Sequence, residues 1–104
     1  MPNFEFAHLE KAPVIEVTTG IRMRPLWENP DVAKALVVEI DAGACFEEVD
    51  VHSSGPELVY VLDGVFCDGT DRHPAGTFIY GPKGSSHIPQ SDVGCTVLVL
   101  YPLG

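Results

Sequence analysis

A chain of 104 residues has room for one domain, close to the smallest size that buries a self-sufficient core, so residues 1–104 are expected to form a single unit. With 45% hydrophobic residues it is too apolar to be disordered, and 15 acidic against 6 basic residues leave a formal net charge of −9 that repels phosphate backbones and anionic lipid surfaces. Neither nucleic acid nor a membrane is an expected partner, because the few lysines and arginines do not cluster. No apolar run approaches the roughly 18 residues of a membrane span, and the start, MPNFEFAHLE, lacks a basic leader and an apolar signal core. A cytoplasmic location is the expectation. Cys45, Cys67 and Cys95 are odd in number and form no CxxC pair, which suits reduced thiols acting as small buried hydrophobes.

In chain order, residues 1–13 carry an alternating Phe4, Phe6 and His8, the pattern of an edge strand able to pair with a second subunit. VIEVT (14–18) reads as a short strand closed by Gly20, and 21–27 alternates with Arg22 and Arg24 on one side. Asn29-Pro30-Asp31 is a turn leading to the β-branched LVVEI (36–40). Residues 44–52 look extended, and Ser53-Ser54-Gly55-Pro56 is a compact loop. Residues 57–66 form a strongly apolar strand whose Asp63-Gly64 signals a tight hairpin. A polar loop, 68–74, precedes the strand GTFIY (76–80), the turn Gly81-Pro82-Lys83-Gly84 leads to His87, and CTVLVLY (95–101) is a continuous apolar run expected to be buried. Some eight to ten short strands with turn residues between them predict an all-β sandwich or barrel.

Within that frame one constellation carries chemistry. Side chains two apart on a strand share a face, so Asp50 and His52 project together, and Glu57 can reach the same spot from the next strand. His87, on a later strand, would complete two imidazoles and one or two carboxylates. That set suits one divalent transition metal per chain, Fe, Zn, Mn or Ni, and a two-His, one-carboxylate face leaves positions open for substrate and dioxygen. Two buried carboxylates without a cation would repel each other. His73, in an Asp-rich loop, is expected to be solvated.

The spacing of these residues resembles the cupin superfamily. Its second motif, G-x5-P-x-G-x2-H-x3-N, is matched at Gly76, Pro82, Gly84 and His87, with Ser91 in place of Asn. Its first, G-x5-H-x-H-x3-4-E-x6-G, is matched at His52, Glu57 and Gly64, with Asp50 where the family has His and Gly43 one residue out of step. GIRMRPLWENP, VLDGVFCD, HPAGTFIYGPKGSSHIPQS and GCTVLVL narrow the resemblance to the cupin domain of ChrR-type anti-sigma factors and to stand-alone dioxygenase-like cupins.

The resemblance implies a double-stranded β-helix, the cupin jelly-roll barrel, with a metal held by His52, Glu57 and His87. Asp50 is either a fourth ligand or an outer contact to one. Arg24, Trp27 and Tyr80 are candidates for the substrate pocket. The function expected is that of an Fe(II)-type oxygenase acting on a small organic molecule. The alternatives are a metal-dependent isomerase or lyase and a non-enzymatic small-molecule or metal sensor, with a homodimer as the assembly. Gly64, Gly76 and Gly84 are expected at positive φ.

Overall fold

The structure, a computed structural model, describes residues 3–46, 50–51 and 55–102; of Asp50 and Val51 only the backbone is described. Among the described residues nine strands follow in chain order: β1 (Ile15–Thr18), β2 (Ile21–Asn29), β3 (Ala33–Ile40), β4 (Asp50–Val51), β5 (Glu57–Cys67), β6 (Arg72–Pro74), β7 (Phe78–Gly81), β8 (Ser86–His87) and β9 (Cys95–Pro102). A seven-stranded sheet runs β1-β2-β3-β9-β5-β6, with β7 also paired to β5, and β4 pairs with β8 in a small second sheet. All pairings among the described residues are antiparallel. The all-β architecture read from the sequence is the one observed.

Strand alternation decides which residues form the core. Along β5, Glu57, Val59 and Val61 are buried while Tyr60 and Leu62 face out. Along β9, Cys95, Val97 and Val99 are buried between half-buried Thr96, Leu98 and Leu100. With Ile21, Leu36, Ile40 and Phe66 these make one apolar cluster, each large side chain in it contributing about 1.5–3 kcal/mol by its removal from water. The β9 run, expected to be buried throughout, is buried on one face only.

Several sequence expectations are corrected here. Asp63-Gly64 does not end a strand, for β5 continues to Cys67, and its register on β9 slips between Val61 and Asp63. The slip is a β-bulge. Gly64 makes it possible at φ +73, where the backbone lies so close to Gly94 that a Cβ would sit 2.0 Å from the Gly94 oxygen. Beyond the bulge the inward parity changes from odd to even, which is why Phe66 is buried. Gly76 and Gly84 have positive φ, as expected.

The N-terminal stretch is not an edge strand. Phe4 and Phe6 lie outside any element, and Leu9–Lys11 forms a single 3-10 turn capped by His8, whose Nδ1 accepts from the Glu10 amide. Residues 72–74 form β6 rather than loop. Of the 44–52 stretch, residues 47–49 and 52 lie outside the described residues; Cys45 makes an isolated bridge to Gln90, and β4 covers Asp50–Val51. All three cysteines are unpaired, but Cys45 is exposed and Cys67 half-buried, leaving only Cys95 as the buried thiol expected of each.

Candidate metal centre and apolar cavity

Glu57 enters the barrel at the head of β5, on the same inward parity as Val59 and Val61. Its register partner is Gly81 of β7. Gly81 is followed by Pro82-Lys83-Gly84, a turn closed by the Ser85 amide donating to the Pro82 carbonyl, and this returns the chain so that β8 begins at Ser86. His87 thereby comes to face Glu57 from the other sheet: its Nε2 lies 3.6 Å from Glu57 Oε1. Both are largely buried, the side chains 16% and 6% exposed.

The His87 ring packs at a tilt against Phe66, with centroids 6.0 Å apart and planes at 58°. Around the pair is a cavity of about 70 Å3 lined also by Val38, Val59, Pro89, Val97, Val99 and Tyr101. Among the described residues no lysine or arginine lines it, and none stands among the positions outside that set.

The remaining expected ligands come together only in part. Asp50 of β4 is the register partner of His87 of β8, so the backbone places these two positions side by side. His52 lies outside the described residues. Among the described residues no group of three His, Cys, Asp or Glu is positioned to hold an ion. The pair that is described does fit one. Donors about 2.0–2.2 Å from a common metal stand roughly 3–3.5 Å apart, close to the observed separation, which is longer than a good hydrogen bond.

Other candidates lie elsewhere. Arg24 and Arg22 both donate through Nε to Glu39 Oε1, at 2.8 and 3.1 Å, on the outer face of the sheet, and Arg22 Nη1 donates to Asp41 Oδ1 at 2.9 Å. The carboxylates of Asp41 and Glu39 hold the Arg22 pKa above its ordinary value. Trp27 donates its indole N–H to Glu5 at 3.2 Å, and Tyr80 is an exposed residue of β7. None of Arg24, Trp27 and Tyr80 lines the cavity beside His87.

His73 is not solvated: it is mostly buried, stacked on Phe66 at 6.4 Å, with Nε2 2.9 Å from Asp68 Oδ2. Burial opposes the charge on Asp68, but the Asp71 and Thr70 amides and His73 outweigh it and lower its pKa.

The sequence reading missed the walls of the cavity. Val59 shares the parity of Glu57 and was within reach of that argument, whereas Phe66 lies past a bulge that no sequence period reveals. Ser91, where the family motif has Asn, is buried, and its hydroxyl donates to the Val65 carbonyl. There it locks the loop before β9 onto β5 instead of facing the cavity.

An antiparallel jelly-roll barrel with an inward carboxylate and imidazole beside an apolar cavity defines a cupin. Residues 3–102 match the ChrR cupin-like domain, and the chain belongs to that family. No curated protein matches the chain in sequence. Among solved structures it is similar to an RmlC-like cupin from Shewanella frigidimarina, with TM-score 0.83, 21% identity and coverage of 98% of this chain and 93% of that one. An acetylacetone dioxygenase from Acinetobacter johnsonii shares the fold at TM-score 0.83 and 14% identity, over 98% and 76% of the two chains. ChrR of Rhodobacter sphaeroides, solved in complex with SigE, aligns at TM-score 0.75 and 28% identity over 90% of this chain. The alignment spans 50% of the ChrR chain. No described helix is long and apolar enough to cross a membrane.

Proposed function

We propose that this chain is a small metal-dependent cupin enzyme, an oxygenase of the Fe(II) type acting on a small organic molecule in the cytoplasm. The observation that carries the reading is the approach of His87 Nε2 to Glu57 Oε1, buried on the wall of an apolar cavity. In this proposal Glu57 and His87 hold one divalent transition metal together with His52, and Asp50, beside His87 in register, serves as a fourth donor or orients it. Bound there, the ion supplies Lewis acidity and, as iron, access to dioxygen chemistry.

The chain's own residues do the rest. Phe66 fixes the plane of the His87 ring, and Val38, Val59, Val97 and Val99 give the cavity water-excluding walls that accept an apolar substituent. About 70 Å3 is less than half of the roughly 150 Å3 that admits a benzene ring, so the group taken up is a few heavy atoms. Among the described residues no lysine or arginine lines the cavity, and Arg22 and Arg24 are held by Glu39, so the ion itself is the one cationic partner the described site would offer a charged substrate group. Small molecules able to chelate the ion through two oxygen atoms, β-diketones and 2-oxo acids among them, are therefore the substrate class, in keeping with the acetylacetone dioxygenase that shares the fold. An isomerase or lyase would use the same donors, with the ion acting only as Lewis acid.

A second reading rests on the family itself: the cupin-like half of ChrR belongs to a protein that grips SigE. On that reading the cavity senses a small molecule without turning it over.

Protein purified without chelator is expected to carry close to one equivalent of a first-row transition metal per chain, lost in His87→Ala and reduced in Glu57→Gln. A folded wild-type chain that refuses every such metal overturns the proposal. Oxygen uptake by iron-loaded protein on β-diketones or 2-oxo acids supports the oxygenase; silence across the whole panel favours the sensor.

A further inference from the structure

Asp68 and His73 form a mostly buried pair, their side chains 25% and 20% exposed, that lies outside the cavity lining. Asp68 is fixed first: its Oδ1 accepts from the Thr70 and Asp71 amides, both at 2.8 Å. Its Oδ2 then accepts from His73 Nε2 at 2.9 Å, and a carboxylate held at both oxygens fixes the plane of the imidazole that binds it. The fixed ring lies nearly flat on Phe66, with planes at 24° and centroids 6.4 Å apart. Phe66 in turn meets the His87 ring at 58° and 6.0 Å. One buried phenyl ring therefore contacts two imidazoles, one from the pair and one on the cavity wall.

We propose that Asp68 and His73 are positioning residues, which hold Phe66 and through it set the pose in which the His87 imidazole faces Glu57. The use of that pose rests on the reading of Glu57 and His87 as metal donors; the pose itself belongs to the metal-free chain. Register is the first argument. Phe66 and His73 are partners across β5 and β6, so their stack is built into a hairpin whose turn Asp68 ties down.

The backbone is the second argument. The same turn grips the chain just after His87: the Ile88 amide donates to the Asp68 carbonyl at 2.9 Å, and Cys67 and Gln90 exchange amide bonds at 2.8 and 3.0 Å. Gly69 packs so closely there that an added Cβ would lie 3.4 Å from Ile88 Cβ. These bonds fix main chain, whereas the side-chain torsions of His87 are set by what its ring packs on, and Phe66 is its aromatic neighbour. The chemistry of position 73 is the third argument. An aliphatic side chain would fill the volume beside Phe66 equally well. A planar ring anchored at one edge does more, because it resists the tipping of the ring stacked on it.

Carbon-13 relaxation of the histidine rings in the metal-free chain, with His87 assigned by the loss of its signals in His87→Ala, reads the pose without any metal. The wild-type His87 ring is expected to be as ordered as rigid backbone, with an order parameter of about 0.85. In His73→Ala, and in His73→Leu, which refills the volume without a plane, it is expected to fall below about 0.6. His73→Phe keeps a flat ring on Phe66 and is expected to return it toward the wild-type value. Cobalt(II) titration followed by visible absorption is the second readout. The dissociation constant is expected to rise about 3- to 10-fold in His73→Leu, the worth of one aromatic pair, and to recover in His73→Phe. Urea midpoints separate positioning from stability: both variants lose the Asp68 bond, so an affinity that follows the ring and not the midpoint supports the relay. If His73→Ala fails to fold, His73→Leu against His73→Phe decides the matter. A wild-type chain that takes up no cobalt(II) overturns the metal reading alone, and the ring order still judges the relay. An unchanged His87 order parameter in His73→Leu overturns the proposal. So does a cobalt(II) constant that rises as much in His73→Phe as in His73→Leu.

Discussion

Replacing Gly64 with alanine places a methyl group 2.0 Å from the Gly94 oxygen and 2.8 Å from Cys95 Cα, in a backbone at φ +73. The conformation alone costs about 1–2 kcal/mol for a residue with a Cβ. Relief requires β9 to move away by about 1 Å, since real Cβ contacts below 3.0 Å do not occur. That movement breaks the hydrogen bond from the Val65 amide to the Gly94 carbonyl and the Gly64–Cys95 pairing, about 0.5–1.5 kcal/mol each. The expected loss is about 2–5 kcal/mol, a large part of a small domain's total stability of about 5–15 kcal/mol.

Gly76 is the control. It has φ +92 but nothing within 4 Å of the position its added methyl group would take, so Gly76→Ala bears only the conformational cost of about 1–2 kcal/mol. Urea unfolding followed by far-UV circular dichroism at one fixed protein concentration measures both. With a slope of about 1–2 kcal/mol per molar for a domain of this size, the two midpoints are expected to differ by roughly 1–2 M. Equal losses in the two variants would refute the close approach of β5 to β9 as the reason for Gly64.

Ser91→Ala leaves the Val65 carbonyl without its buried hydroxyl donor and is expected to cost about 1–3 kcal/mol in the same assay. Burial raises the Cys95 thiol to about 11, so iodoacetamide at pH 8 is expected to label exposed Cys45 first and to reach Cys95 only in denaturant, as read by peptide mass spectrometry. The Asp68 carboxyl has a lowered pKa in the fold, so its ionised form contributes stability above the ordinary carboxylate range and loses it as pH falls through the folded value. The stability gap between wild type and Asp68→Asn is therefore expected to be full at pH 6 and to narrow below about pH 4, measured by urea unfolding across that range.

The residues legible in sequence were those whose placement depends on local rules. The positive-φ glycines follow from turn chemistry, whereas the continuous apolar run of β9 gave no sign that Val97 and Val99 rather than Leu98 and Leu100 turn inward. Glu57 and His87 were readable through their motif spacing, and the fold brings both to one cavity wall. What was not legible depends on contacts distant in sequence. Asp63-Gly64 looks like a hairpin to any local rule, and only the closeness of Gly94 makes it a bulge. His73 reads as a loop residue until Asp68 and Phe66 are seen to enclose it. Arg24 was a pocket candidate as a partner for a substrate carboxylate, and the structure gives it Glu39 instead, on the face of the sheet away from the cavity.

The two halves of the candidate metal centre stand on unequal foundations. Glu57 belongs to an eleven-residue strand bonded to β6, β7 and β9, while His87 belongs to a two-residue strand whose partner is equally short. A ladder of two rungs opens at far lower cost than the sheet it faces. An occupant bridging Glu57 and His87 would work as a rivet between a rigid plate and a loose one. Its apparent affinity is then reduced by the fraction of time the short ladder is open, and its residence time is set by that ladder rather than by the barrel. Amide protection at residues 86 and 87, against 58 to 61, would read that difference directly.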